Sequence, residues 1–170
     1  SDDFRKLTPE EAVLYIDSQD PPDTSIYHHS YTLYPGRDDL HLMFPSMYHQ
    51  GTGHVDVQLA ISHDGLRWDR PDRKHPIIPN GSVGSADGGM IYCAPQLLCL
   101  PDGRMALGYS GHSGLHTEPK GSIPKDSNPV RFDDELSPSD RGIVRYAMWP
   151  KDRLAGIYSK EYGRVTLRQE

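Results

Sequence analysis

Asp23 and Asp87 are the two carboxylates whose placement in the sequence could support chemistry between them. Each closes a turn-forming string, Asp20-Pro21-Pro22-Asp23 and Gly84-Ser85-Ala86-Asp87, each stands before an extended run, and they lie 64 residues apart. Equivalent positions in consecutive repeats of that length would face one axis. Paired carboxylates at such a place suit cleavage of a glycosidic bond. One serves as base or nucleophile and the other as acid, ~5–5.5 Å apart for retention and ~6.5–9.5 Å for inversion. The same residues serve equally as turn caps, because Asp beside Pro or Gly binds nearby backbone. Glu118, near His112 and His116, is a third candidate: a general acid where burial raises its pKa, a solvated loop charge otherwise.

Side chains able to hold a hydroxyl-rich ligand accompany these acids. His28, Tyr48, Tyr92, Arg70, His112 and His116 are the candidate binding residues. Tyr offers a flat face and a hydroxyl, and so do Tyr27, Tyr31 and Tyr109 on neighbouring runs. His28 and His29 are consecutive on an extended run, so at most one can face a shared axis. Arg70, like Arg67 and Arg145, has the fork that takes a carboxylated sugar. Packing between sheets, or ordinary surface pairing, is the competing account for each. His112 and His116 have i, i+4 spacing, but Gly111 and Gly114 leave a helix unsupported and weaken a metal reading. Neither metal nor cofactor is expected: no Gly-rich phosphate loop, nucleotide fingerprint or Ser-His-Asp string is present.

The elements that must position these residues read as strands and turns. Only Thr8-Pro9-Glu10-Glu11 carries a helix signal, a capping box with Pro at the first helical position, which predicts a short N-terminal helical turn. Asp20 to Asp23 ends it. Ile26–Tyr34 and Leu40–Tyr48 flank Pro35-Gly36 as a hairpin, and Val55, Val57, Leu59 and Ile61 alternate with polar or small residues as a third strand. Asp64-Gly65 makes a tight turn, and a short fourth segment starts at Trp68 and stops at Pro71. Residues 24–71 thus read as a four-stranded antiparallel meander.

The pattern starts again at Asp87. Met90–Leu100 reads as a strand, Pro101-Asp102-Gly103 as a turn, Met105–Tyr109 as the return, and Val144, Tyr146 and Met148 as a later alternating strand. The two Pro/Gly turns match at an offset near 67 residues. Residues 113–140 have the Pro, Ser and charge content of a long surface loop inserted into the second repeat. Trp68 and Trp149, each after a third strand, are expected to fill gaps between sheets. Repeated four-stranded sheets are the signature of β-propeller blades, and two blades cannot close a ring that takes four to eight.

Four strings carry a family resemblance: residues 17–23, residues 42–48 (Leu-Met-Phe-Pro-Ser-Met-Tyr), residues 56–71, and residues 84–92 (Gly-Ser-Ala-Asp-Gly-Gly-Met-Ile-Tyr). In order and spacing the chain resembles five-bladed propeller proteins related to invertases, levansucrases and arabinanases, over most of residues 17–158. The resemblance implies an all-β fold of antiparallel blades around a funnel. It implies glycoside hydrolysis by carboxylates at the starts of inner strands, here Asp23 and Asp87. It also implies a partial propeller, short of roughly three blades. Relatives commonly carry Trp where Ala86 stands, so a stacking ring is missing there. The segment Ser62–Trp68 is similar to a sialidase Asp-box one residue short, and reads as a turn. A noncatalytic sugar-binding or assembly propeller is the alternative function.

Composition narrows the partners. Twenty-four acidic against eighteen basic residues leave a net charge of −6, so no general field draws the chain to nucleic acid or anionic lipid. The longest apolar run, Met90–Leu100, contains Pro95 and Gln96 and is far short of the ~20 residues that span a bilayer. The expected partners are a carbohydrate and a further chain, or a second copy, completing the ring; nucleic acid and membrane are not expected. Sixteen glycines and fifteen prolines mark a turn-rich folded chain rather than low complexity. Cys93 and Cys99, six apart on one predicted strand, are ~20 Å apart and too far for a disulfide; both are expected in the core.

Overall fold

The computed structural model describes residues 9–116 and 142–154. Among these the chain is all-β, with β1 (Thr24–Leu33), β2 (His41–His49), β3 (His54–Val57), β4 (Ala60–Ser62), β5 (Met90–Cys99), β6 (Arg104–His112) and β7 (Ile143–Pro150). The expected N-terminal helical turn is not formed: residues 9–16 carry no regular secondary structure, and Thr8 lies outside the described residues. One capping box does not offset the cost of nucleating so short a helix. The segment instead lies along the first two strands, where Val13 and Leu14 border Ile26 and Met43. Its Tyr15 carbonyl accepts Arg70 Nη2 at 2.8 Å.

Two antiparallel units make up the sheet, ordered β1-β2-β3-β5-β6-β7 with β4 on β2. In the first, β1 and β2 pair from Thr24↔His49 to Leu33↔His41, with a bulge that leaves Tyr27 without an opposite residue. β3 and β4 keep one register along β2, Ser46↔Val57 and Met43↔Ala60, so the alternation over residues 55–61 is a single interrupted edge. Pro45 causes the interruption. Gln58 N–H reaches the Pro45 carbonyl at 3.0 Å, but proline has no N–H to return.

The fourth strand expected at Trp68 shrinks to one bridge, Ile61↔Asp69, with a second crossing at Val57↔Ile78. Asp64 takes the donors that a strand would have used: its Oδ1 accepts Leu66 and Arg67 N–H at 2.9 and 2.7 Å. Those bonds hold its carboxyl at about 2. Trp68 Nε1 closes back on the Gly65 carbonyl at 2.9 Å, so the Asp-box-like string is a turn.

The second unit is β5-β6-β7, three strands among the described residues rather than four. The predicted loop insertion falls mostly on residues 117–141, outside the described residues. The two Pro/Gly turns match: Gly36 and Gly103 both sit at φ +81°, where only glycine is unstrained. The units share one parallel pair, Val55↔Met90, and a common core. Phe44 and Val57 from the first meet Ile91, Met105 and Leu107 from the second, all fully buried, at about 1.5–3 kcal/mol of burial each. Trp149 packs against this core, whereas Trp68 lies half-buried beside Tyr31 and His41. Cys93 belongs to the core, and burial raises its thiol to about 12. Cys99 does not: beyond the Cys93/Leu97 bulge, at the far end of β5, it is exposed.

Candidate functional site

Five of the six predicted binding residues converge where the two units meet. The β1 bulge sets Tyr27 apart from the ladder beside His28, which pairs with Ser46, and Tyr48 stands next to the last residue of the neighbouring strand. Tyr92 lies on β5 and His112 at the end of β6. His116 is brought in by its loop. Its N–H donates to the Gly53 carbonyl at 2.8 Å, and Gly89 lets that loop lie against β5, since any Cβ there would overlap the Gly114 carbonyl.

Edge-to-face and tilted rings fill the cluster. His116 sits 4.4 Å from Tyr27 and 4.6 Å from Tyr48, between centroids. Tyr92 is 6.1 Å from Tyr27, 6.1 Å from His28 and 6.0 Å from His112. Such aromatic contacts contribute about 0.5–1.5 kcal/mol each beyond burial. Burial, with Tyr27 nearby, raises the Tyr92 hydroxyl, so it stays a neutral donor and acceptor. His28 joins the cluster, while His29 borders the cavity under residues 11–14 on the other face of β1, as alternation requires.

The two acids are held in different ways. Asp23 is half-buried, and its Oδ2 accepts Gly51 N–H at 3.0 Å. Asp87 is buried, and both of its oxygens are engaged. Oδ1 accepts Ser85 Oγ–H at 3.0 Å, and Oδ2 accepts Tyr109 O–H at 3.0 Å and Arg145 Nη1 at 2.8 Å. Burial pushes the Asp87 carboxyl up, but the bonds from Tyr109 and Ser85 and the Arg145 charge outweigh it, and its pKa lies below the ordinary value. Asp87 is therefore a fixed anion. Gly111 passes so close that a Cβ would stand 2.5 Å from Asp87 Cβ.

Arg70 stands apart from the cluster. It is buried in a bidentate pair with Asp20, Nη1 to Oδ1 at 2.7 Å and Nη2 to Oδ2, and Nη1 also donates to Gln58 Oε1 at 3.0 Å. Burial raises Asp20, but the Arg70 bonds bring it below the ordinary value. Glu118 lies outside the described residues. Among the described residues no three His, Cys, Asp or Glu side chains are grouped to hold a metal ion.

Sequence reasoning missed Ser85 as a donor to Asp87 and the whole His49–Asp56 pair. The Asp87 partners depend on the register Tyr109↔Arg145 between β6 and β7, which no local pattern sets across an insertion. Asp56 was legible only as a polar position in an alternating strand. Compared with known protein families, curated proteins and solved structures, the chain matches none.

Proposed function

We propose that the protein is carbohydrate-active, with the Tyr/His cluster as its sugar-binding surface and glycoside hydrolysis as its reaction. The observation that carries this reading is the convergence of Tyr27, His28, Tyr48, Tyr92, His112 and His116 from both units. Tyr faces suit the C–H surface of a sugar, and the phenol and imidazole groups both donate to and accept from its hydroxyls. The two units act as adjacent propeller blades. Their first strands lie side by side, joined by the Ser30 hydroxyl on the Cys93 carbonyl rather than by a ladder, and each unit fans outward through antiparallel partners. A further chain or second copy supplies the remaining blades.

Asp87, held ionised, fits the stabilisation of a cationic transition state or the activation of water, and not proton donation. Asp23, with a single backbone partner among the described residues, is the freer carboxylate, and the proton for the leaving oxygen is assigned to Glu118. The three donors on Asp87 favour a second reading, noncatalytic sugar binding with Asp87 structural.

Reducing-end release from a panel of plant and microbial polysaccharides, with calorimetric binding of the same sugars, separates the two. Hydrolysis predicts that Asp23→Asn and Asp87→Asn each lose at least ~100-fold in turnover while binding persists, and that Tyr92→Ala weakens binding. Binding without turnover in the wild type leaves the second reading. Neither turnover nor binding with any sugar overturns both.

A further inference from the structure

The two units repeat one register. In each, a backbone bond closes the first hairpin, Tyr34 N–H to the Leu40 carbonyl and Leu100 N–H to the Arg104 carbonyl, both at 2.8 Å. Setting Leu40 on Arg104 gives a shift of 64 residues, the separation of Asp23 and Asp87, and the strands that follow keep it. Met43↔Ala60 answers to Leu107↔Ala147, Ser46↔Val57 to Ser110↔Val144, and Leu42↔Ile61 to Ala106↔Met148. Val57, Leu59 and Ile61 of the first unit therefore correspond to Val144, Tyr146 and Met148 of the second.

These equivalent residues are placed differently. Val57 and Leu59 lie in the core they share with Leu97, Met105 and Leu107 of the second unit, and Ile61 packs against it. Val144, Tyr146 and Met148 are exposed. The face that could receive them is the first unit's counterpart of Leu97 and Leu107. Those two residues pair across β5 and β6, and their equivalents are Tyr31 and Met43, which pair across β1 and β2. On that face residues 11–14 lie over Met43 and leave a cavity of about 280 Å3 beneath them, while Tyr31 is exposed. Residues 9–14 make no backbone hydrogen bond to β1 or β2, and Val13 and Leu14 are only half-buried. The cover is held by a few side chains.

We propose that residues 11–14 cap a docking face for a second copy of this chain, which seats Val144, Tyr146 and Met148 of its second unit on Tyr31 and Met43 once the cap is displaced. The occupant is a second copy because the chain already makes this interface once, between its own units, and carries both halves of it again, one open and one capped. Exposed apolar side chains grouped on one sheet face mark such a contact. The contact is head to tail, so each added copy presents another open face and another capped one. The inference rests on the two units being adjacent blades, as proposed above, and not on their binding a sugar. Mass in solution and calorimetry with sugars therefore fail separately.

Sedimentation equilibrium of the full chain tests it. The wild type is expected to be monomeric, and Val13→Asp/Leu14→Asp to self-associate at least about tenfold more tightly. Within that variant, Tyr31→Asp or Tyr146→Asp, each at an exposed position, is expected to restore the monomer. A mixture of these two is expected to form dimers, because one supplies an intact second-unit face and the other an intact first-unit face. If Val13→Asp/Leu14→Asp does not fold, Val13→Ser/Leu14→Ser takes its place. The proposal is overturned if the cap variant stays monomeric, if the wild type associates as tightly, or if the mixture does not dimerise. It is also overturned if Tyr146→Asp abolishes association and Tyr31→Asp does not, since two open faces would then be meeting. None of these outcomes alters how the two units pack within one chain.

Discussion

The two antiparallel units follow one strand pattern and differ in what completes them. In the first, residues 11–14 lie along β1 and β2, the buried Arg70–Asp20 pair ties down the loop that follows, and residues 69 and 78 bridge the edge of β4 and β3. In the second, β7 ends the sheet among the described residues, and Val144, Tyr146 and Met148 stand 77%, 58% and 49% exposed. The acids reverse this order. Among the described residues, the Asp23 carboxylate in the first unit has one backbone partner, whereas Asp87 in the second has three side-chain donors. Local sequence lays down the strands, and distant residues decide what is sealed: 50 positions separate Arg70 from Asp20, and 58 separate Arg145 from Asp87.

The largest effect should come from the covered unit. Arg70→Ala leaves the Asp20 carboxylate buried without its partner, and loss of about 3–5 kcal/mol is expected in urea unfolding. A loss under about 1 kcal/mol would mean that the N-terminal strip is not part of the folded unit. A paired glycine test compares the acids. Gly111→Ala puts a methyl against the Asp87 Cβ and Cα, at 2.5 and 2.9 Å, which no side-chain rotation relieves, and is expected to destabilise by about 1–3 kcal/mol. Gly51→Ala meets only the end of the Asp23 side chain, at 2.7 Å, and should fall within about 0.5 kcal/mol. Equal effects would erase the contrast between the two carboxylates.

Much of the strand pattern was readable because it is local. Pro35-Gly36 and Pro101-Asp102-Gly103 impose the same turn, and alternation in residues 55–61 and 144–148 places the ladders to within a few residues. Of the ring cluster only the strand placement of its members was readable, since His28, Tyr48, Tyr92 and His112 lie on β1, β2, β5 and β6; that they meet depends on how the two units pack. Arg70 was misplaced because its sequence neighbours, Asp69 and Pro71, resemble any surface turn, and only the fold brings Asp20 beneath it. The N-terminal helix failed in a related way: the capping box is genuine as a string, but the extended strip along β1 and β2 prevails. Asp56 could not be singled out, because its pairing with His49 and its one unmatched oxygen are set by the fold.

Acid titration sharpens the same contrast. The Asp20 and Asp87 carboxyls are lowered in the folded state. Their contribution is fully present above the unfolded value near 3.8 and is lost as pH falls through the folded value, when the native state must take up protons it resists. Asp56, raised by burial, has the opposite sign: its contribution is present at low pH and fades as pH rises through its folded value. The urea midpoint should fall between about pH 5 and pH 2, and Asp87→Asn should flatten that limb. An unchanged slope in Asp87→Asn would show that the donors around Asp87 do not hold it ionised.

The smallest expected effect tests whether the second unit is open. Met148 pairs with Ala106 across β6 and β7, and its side chain stands half in solvent, so Met148→Thr exchanges an exposed thioether for a β-branched residue of good strand propensity. The expected change is within about 0.5 kcal/mol. Removing a buried methionine side chain, as at Met43 on β2, would instead cost about 2–5 kcal/mol. A large loss at Met148 would mean that the face is covered after all. If that loss grew with protein concentration, the cover would be a second copy, because association stabilises a folded chain by mass action. If it did not, the cover would lie within the same chain, and the contrast between the units would reduce to the environments of their acids.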